Sequence, residues 1–373
     1  MKILVTGGAG FVGSHLVDAL LDRNHEVVVY DSLESQVHIA SQVPPYFNSN
    51  ARLVRADIRD YDSLKRCILD NQIDIIFHEA AAVGVGQSMY EIKRYVEINT
   101  LGGANLLDIL ANNKHRVQKI LVASSMSIYG EGKYECPSDG AVYPRLRPQD
   151  QLRNKDWEMT CPDCNRKVSP VGTDEKKPLF PTSIYATTKR DHEEMFLEFG
   201  EAYRIPAVAL RYFNIYGPRQ ALSNPYTGVV AIFASRLLND QPPVIFEDGL
   251  QSRDFVHVSE VVNANLLAME NEEADYETFN VGTGHSTSIL DVARTLAEKL
   301  NKEISPLVLQ RFRAGDIRCC YADITKITSK LGFKASVTFD EGLKDLLSWL
   351  ETQAPQDRTH LAFSELEKRG LAR

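Results

Sequence analysis

The 373-residue chain predicts an α/β fold: a doubly wound parallel sheet with a smaller α/β region at the C-terminal end. Two observations predict it. Through the first half, short apolar runs alternate with segments whose apolar residues recur at helical spacing. Strand, helix and strand repeated in this way imply right-handed crossovers and a parallel sheet covered on both faces. In addition, the first strand runs directly into a glycine-rich turn that opens a helix.

The elements follow in order. Lys2–Thr6 reads as a buried strand and Ser14–Arg23 as an amphipathic helix. Glu26–Tyr30, Arg52–Arg55 and Asp74–His78 read as the next three strands. A helical pattern runs around Tyr90–Asn112, followed by a strand at Lys119–Ser124. From about Glu131 to Pro181 the rhythm breaks into a Pro-, Arg-, Asp- and Asn-rich stretch without period, and a loop of that length inside a domain is usually functional or a structured insertion. Tyr185–Tyr203 resumes a long helix and Ala207–Tyr212 a strand. The last third mixes short strands (Val244–Phe246, Phe255–Val258) with helices (Ser288–Leu300, Phe339–Leu350). No internal repeat or low-complexity segment is present.

Composition narrows the classes. The chain is 43% hydrophobic and 25% charged with a formal net charge of −8 and no basic block, which argues against nucleic acid as a partner. No apolar run approaches the roughly 20 residues a membrane span needs, so no membrane association is expected. The N-terminus enters a strand without a basic stretch and an apolar run before it, the opposite of a secretory signal. The six cysteines do not form the dense framework of a small secreted domain, and a reducing cytoplasm is expected.

The turn Thr6-Gly7-Gly8-Ala9-Gly10-Phe11-Val12-Gly13 carries the first functional signal. Glycines here permit a tight turn and let the backbone approach a pyrophosphate, which then rests on the N–H groups of a helix N-terminus. Asp31 ends the second strand at close to the ~20-residue offset of the acid that hydrogen-bonds a ribose 2′-OH. A carboxylate there repels a 2′-phosphate, so the expected cofactor is NAD rather than NADP. Asp57, at the end of the third strand, suits an adenine contact or a helix cap.

Tyr185 and Lys189 lie at i and i+4 on one helix face. A tyrosine of pKa ~10 is a poor base unless a nearby cation lowers it. Ser125, in Ala123-Ser124-Ser125-Met126-Ser127-Ile128-Tyr129-Gly130, stands at the carboxyl end of a strand, where sites form in this class of sheet. Its hydroxyl can hold a reacting oxygen beside the tyrosine.

In these residues the chain resembles an extended short-chain dehydrogenase/reductase of the nucleotide-sugar epimerase/dehydratase family, with a Rossmann-type sheet. The resemblance covers most of the chain: the glycine turn, Asp31, Asp57-Ile58, His78-Glu79-Ala80-Ala81, Asn99, Ser125-x3-Tyr129-Gly130, Tyr185-x3-Lys189, Arg211-Tyr212-Phe213-Asn214-x-Tyr216-Gly217-Pro218-Arg219, Arg253-Asp254-Phe255-x-His257-Val258 and Arg313-x-Gly315-Asp316. It implies a catalytic set of Ser125, Tyr185 and Lys189. It implies an NAD site lined by Gly7, Gly10, Phe11, Val12, Gly13, Asp31, Asp57, Ile58, Ala80, Ala81, Asn99, Tyr185, Lys189 and Phe213. Ser125, Asn214, Arg253, Arg313 and Asp316 would hold the nucleotide-diphosphate sugar, arginine being suited to bidentate phosphate recognition. Without the resemblance, Arg253 reads as a surface ion pair with Asp254. The implied domains are 1–212 for NAD, with an insertion at about 131–181 and a return of 250–285, and 213–373 for the nucleotide sugar. A homodimer built on the Tyr90–Asn112 and Tyr185–Tyr203 helices is also implied.

Within the family, the 4,6-dehydratases place an Asp–Glu pair directly after the catalytic hydroxyl. This chain has Met126 and Ser127, neither of which is a carboxylate, so reversible oxidation at C4 is expected instead of elimination. The insertion, with Glu131-Gly132-x-Tyr134-x-Cys136-Pro137, Trp157-Glu158, Cys161-x-x-Cys164 and Thr173-Asp174-Glu175, is similar to that of the bacterial dTDP-L-rhamnose 4-epimerase group. A UDP-hexose 4-epimerase is the alternative, followed by a dehydratase and by a non-catalytic NAD-binding regulator. Cys161-x-x-Cys164 with Cys136 offers three thiolates at metal-knuckle spacing and Asp139 a fourth ligand, but half of a paired knuckle favours reduced thiols over zinc. Cys319 and Cys320 carry no expected role.

Overall fold

Apolar runs of four to seven residues become strands here because both of their faces can be covered. In the computed structural model, which describes residues 1–373, seven strands form one parallel sheet: β1 (Lys2–Thr6), β2 (Glu26–Asp31), β3 (Arg52–Arg55), β4 (Ile75–His78), β5 (Lys119–Ser125), β6 (Ala207–Tyr212) and β7 (Thr278–Val281). Their spatial order is β7-β6-β5-β4-β1-β2-β3. Strand order reverses beside β1, which pairs with β2 on one side and β4 on the other. Ligands bind at the carboxyl ends of strands at such a switch point.

Alternate residues of the strands feed two cores. Ile3, Val5, Val29, Phe77, Leu121 and Leu210 pack with Leu16, Val17 and Leu20 of the helix Phe11–Asp22 and with Val261 and Leu266 of the helix Val258–Glu270. Leu4, Val28, Ile76, Ile120 and Ala209 face the other way, onto Leu64, Ile68, Leu106, Leu110 and Phe196. Each fully buried aliphatic side chain contributes about 1.5–3 kcal/mol. A third core joins Val230, Phe233, Ile245, Phe255, Val292, Leu296, Leu343 and Leu346 in the C-terminal part. No helix is long and apolar enough to cross a membrane.

Helix limits follow local chemistry. Asp60 accepts a hydrogen bond from Ser63 N at 3.0 Å and starts the helix Tyr61–Asp70. Ser183 accepts from Ala186 N at 3.1 Å and starts Ile184–Tyr203. Thr338 and Glu341 form a reciprocal capping box ahead of Phe339–Leu350.

Two regions depart from the sequence expectation. The Tyr90–Asn112 helix starts only at Ile92 and contains a π-helical turn, Val96–Leu101, before Gly102–Asn112. The aperiodic 131–181 stretch holds a three-stranded antiparallel sheet of Lys133–Cys136, Gly140–Val142 and Ser169–Val171, plus a short helix Gln149–Arg153. Strands of three or four residues are too short to leave a visible period.

Candidate active site

The site grows from the carboxyl ends of β1, β2, β4, β5 and β6, which open on a single cavity of about 660 Å³. At the end of β1, Gly7 adopts a φ of 70°, and a methyl group there would lie 2.8 Å from the Ala80 backbone nitrogen. A methyl group on Gly13 would collide with the Gly7 carbonyl oxygen. Only glycine permits this closeness of turn, helix and β4. The following helix begins at Gly10 with no side-chain cap and no acid in its first turn, so its first N–H groups are free to receive an anion.

Asp31 reaches back over this turn. Its carboxylate accepts from Ala9 N at 3.0 Å and Leu33 N at 2.8 Å, and it lines the cavity. An uncapped helix end, a glycine cradle and a carboxylate beyond them fit a dinucleotide with a free 2′-OH. Phe11, Val12, Ile58, Ala80, Ala81 and Phe213 also border the cavity. Asp57 does too, but Arg59 holds its carboxylate with bonds of 2.9 Å from Nε and 2.7 Å from the terminal nitrogen, which keeps its pKa low. The cap of the next helix is Asp60, not Asp57.

Asn99 departs from the expected position. It is fully buried in the π-helical turn and does not line the cavity. Its amide accepts from Ala82 N at 2.8 Å and donates to Ala82 O at 3.1 Å and to the Thr188 hydroxyl at 3.0 Å. The π turn swings this side chain onto the loop after β4, so Asn99 supports the cavity wall from behind.

Ser125, Tyr185 and Lys189 meet at the cavity. Ser125 ends β5, and its hydroxyl accepts from Ser127 Oγ at 2.9 Å and Ser127 N at 3.2 Å. Tyr185 and Lys189 come from the helix capped by Ser183, whose first turn is tied down by Tyr185 N donating to Ser88 Oγ at 3.0 Å. Lys189 Nζ donates to the Ala123 carbonyl at 2.7 Å. Burial raises the Tyr185 phenol above its ordinary value, and the Ser125 hydroxyl facing it pulls it back. Burial brings the Lys189 ammonium down to about 8, against the opposing pull of the Glu79 carboxylate. Burial is the largest influence on both groups, raising the phenol and lowering the ammonium.

Glu79, part of the His78-Glu79-Ala80-Ala81 motif, takes a place that its sequence position does not announce. It lines the cavity at the end of β4, accepts from the Tyr212 hydroxyl at 2.8 Å, and is pushed up to about 7 by burial. A charged residue between His78 and two alanines, at the end of an otherwise apolar strand, is the signal that could have singled it out.

Asn214, Arg253, Arg313 and Asp316 line the same cavity. Asn214 Oδ1 is buried without a partner. Arg253 does not pair with Asp254, whose carboxylate instead accepts from Thr283 N, Thr283 Oγ1, Gly284 N and Ala322 N. Arg253 donates to the carbonyls of Ser252, Arg318 and Ile317 at 2.7, 3.2 and 2.8 Å, which orient the guanidinium without neutralising it. Arg313 stacks over Phe246 at 4.6 Å and pairs with Asp316 at 2.8 Å.

Comparison with known proteins decides what such a site belongs to. The model of the NAD-dependent epimerase/dehydratase family matches residues 3–150, and that of GDP-mannose 4,6-dehydratase matches 167–346. The dTDP-L-rhamnose 4-epimerase of Burkholderia thailandensis is 35% identical over 94% of each chain. The chain belongs to the NAD-dependent epimerase/dehydratase family.

Solved members of the family share the whole fold. The UDP-glucose 4-epimerase of Thermotoga maritima superposes with a TM-score of 0.77 at 32% identity, covering 94% of this chain and 99% of its own. The UDP-glucuronic acid 4-epimerase of Bacillus cereus, solved with UDP-glucuronic acid and NAD, gives 0.76 at 28% identity over 94% and 99%. As a family member this chain is an NAD-dependent nucleotide-sugar epimerase. Met126 and Ser127, the two residues after Ser125, also line the cavity, and Ser127 donates its hydroxyl to Ser125. Two carboxylates close in sequence or space to this strand end, Glu131 and Glu193, are held elsewhere. Glu131 accepts from Arg318 N at 2.8 Å and Cys319 N at 2.7 Å. Glu193 accepts from Ser124 Oγ at 2.7 Å and Arg211 Nε at 2.9 Å.

Proposed function

We propose that this chain inverts C4 of dTDP-L-rhamnose to give dTDP-6-deoxy-L-talose. The observation that carries the C4 chemistry is the wall of Met126 and Ser127 next to Ser125, which offers no carboxylate to remove a C5 proton or to protonate a departing C6 hydroxyl. The choice of sugar nucleotide rests on likeness to the Burkholderia enzyme along nearly the whole of both chains.

NAD, held on the glycine turn and Asp31, supplies the hydride acceptor and donor, so the overall reaction has no net redox change. The chain's own residues handle protons and position. Tyr185 takes the proton of the C4 hydroxyl and later returns it. Ser125 bonds the same oxygen and holds it against the phenol. Lys189, fixed by the Ala123 carbonyl, supplies the positive charge that favours the phenolate. Arg253, Arg313 and Asn214 grip the diphosphate while the 4-keto sugar turns about its phosphate linkage. Exposed apolar side chains on Ile92, Val96 and Leu101 support a homodimer built on the Tyr90–Asn112 and Tyr185–Tyr203 helices, which light scattering would check.

The deciding experiment incubates the chain with dTDP-, UDP-, GDP- and CDP-sugars and follows C4 inversion by proton NMR. Conversion of dTDP-L-rhamnose is expected. Conversion of UDP-hexoses alone would overturn the substrate and leave the chemistry. Conversion of a nucleotide-linked hexose that carries a C6 hydroxyl into its nucleotide-linked 4-keto-6-deoxy product would overturn the chemistry as well.

A further inference from the structure

Away from the cavity, the segment 131–181 gathers Cys136, Asp139, Cys161 and Cys164 so that their ligating atoms all lie within 4.8 Å of one another. Two separate turns supply them. The hairpin between Lys133–Cys136 and Gly140–Val142 brings Cys136 and Asp139, three residues apart, and Gly140 completes it at a φ of 69°. A second, tighter turn brings Cys161 and Cys164, also three apart. Asn165 N donates to Cys161 O at 3.0 Å, and Cys161 N to Arg166 O at 2.8 Å. Asn165 takes the left-handed conformation that lets the chain fold back, with a φ of 59°.

The distances match a tetrahedral cation site. Sulfurs bound to zinc at ~2.3 Å stand ~3.8 Å apart at the corners of a tetrahedron. Cys136 Sγ and Cys164 Sγ are 3.5 Å apart, and Asp139 Oδ2 is 3.2 Å from the sulfurs of both Cys136 and Cys161. The backbone nitrogen of Asp163 donates to Cys161 Sγ at 3.4 Å, the outer-shell bond that spreads the charge of a thiolate ligand. A disulfide between Cys136 and Cys164 would use two of these four groups and leave the third sulfur and the carboxylate unexplained.

We propose that this segment binds one structural zinc ion through Cys136, Asp139, Cys161 and Cys164. Three thiolates and a carboxylate close all four positions, and a borderline-soft ion of tetrahedral preference suits that donor set. The sequence alone favoured reduced thiols because only one paired knuckle was visible. The structure supplies the other half in the hairpin. The segment needs such a staple: its own apolar cluster is small, made of Tyr134, Val142, Met159 and Val168 with Cys136, Cys161 and Cys319. It starts directly after the Met126–Tyr129 turn and reaches across to the C-terminal part, where Arg147 and Glu247 make a buried bidentate pair at 2.8 and 2.9 Å. Zinc thus holds in register the strap that joins the Ser125 strand end to the nucleotide-sugar side.

The test is metal analysis of the full chain by plasma mass spectrometry after gel filtration, paired with cobalt(II) titration of chain stripped of metal under reducing conditions. One zinc per chain, and the intense visible bands of tetrahedral thiolate-bound cobalt, are the expected results. Cys164→Ser abolishes both signals, and Asp139→Ala weakens cobalt binding while Asp163→Ala does not. Zinc-supplemented wild-type chain with no stoichiometric metal and no cobalt bands would overturn the proposal. So would iron in place of zinc, or a Cys136–Cys164 disulfide in freshly purified chain. The catalytic assignment is read separately, by C4 inversion, and fails or stands independently.

Discussion

The Tyr212 hydroxyl donates to Glu79 at 2.8 Å and so fixes a carboxylate beside the Lys189 ammonium. Two oppositely charged groups, each displaced toward neutral pH by burial, then face one cavity, Glu79 at about 7 and Lys189 at about 8.

A pH profile follows from this pair. Above about 8 the Lys189 cation is lost, and with it the charge that favours the Tyr185 phenolate, so kcat/KM falls on the alkaline side. The Glu79 carboxylate raises the Lys189 pKa. Glu79→Gln puts a neutral amide there, lowers that pKa, and moves the alkaline limb to lower pH. An unmoved limb would sever Glu79 from the reaction.

Tyr185→Phe keeps the ring in its buried slot and removes only the hydroxyl. Loss of positioned acid–base catalysis lowers kcat about 10²–10⁴-fold. NAD binding, followed by calorimetry, stays within a few-fold, since the glycine turn and Asp31 are untouched. A variant that loses the cofactor along with activity would assign Tyr185 a structural role instead.

Arg253→Ala tests the diphosphate grip. Hydrogen bonds to charged groups contribute about 1.5–3 kcal/mol, so KM for the sugar nucleotide rises roughly 10- to 100-fold. The kcat value moves little, because C4 lies at the other end of the substrate. The carbonyls of Ser252, Ile317 and Arg318 lose a donor, and a modest drop in melting temperature accompanies the kinetic change. Equal losses in kcat and kcat/KM would place Arg253 at the reacting centre.

Gly13→Ala adds one methyl group against the Gly7 carbonyl. The helix Phe11–Asp22 must then back away from the turn, at a cost of about 1–3 kcal/mol, and its N-terminus leaves the pyrophosphate position. Thermal unfolding should come earlier, and added NAD should no longer shift it upward. Retained stabilisation by NAD would contradict this account of the turn.

The limits of β1 were legible because it is an apolar run that ends on the glycine turn. Ser125, Tyr185 and Lys189 were legible as a spacing, and their meeting required β5 and the Ile184–Tyr203 helix to be neighbours. The π-helical turn was hidden because its cause is remote: Asn99 bonds the Ala82 backbone, and His192 Nε2 contacts the Asn99 carbonyl. Arg147 and Glu247 give no local sign of their pairing. Glu79 stood in plain view, but its chemistry comes from Tyr212 and Lys189, which only the fold brings to it.

The last strand of the sheet, β7, pairs with β6 although a long run of other elements separates the two. Until it emerges from the ribosome, β6 lies at the open rim of the growing sheet, paired with β5 on one edge and unpaired on the other. Such rims recruit other chains, and pairings of long sequence separation form slowly. A fragment ending at residue 212 would therefore carry the glycine turn, Ser125, Tyr185 and Lys189 and still be prone to aggregate. The nascent chain faces the same hazard until Val281 has been made.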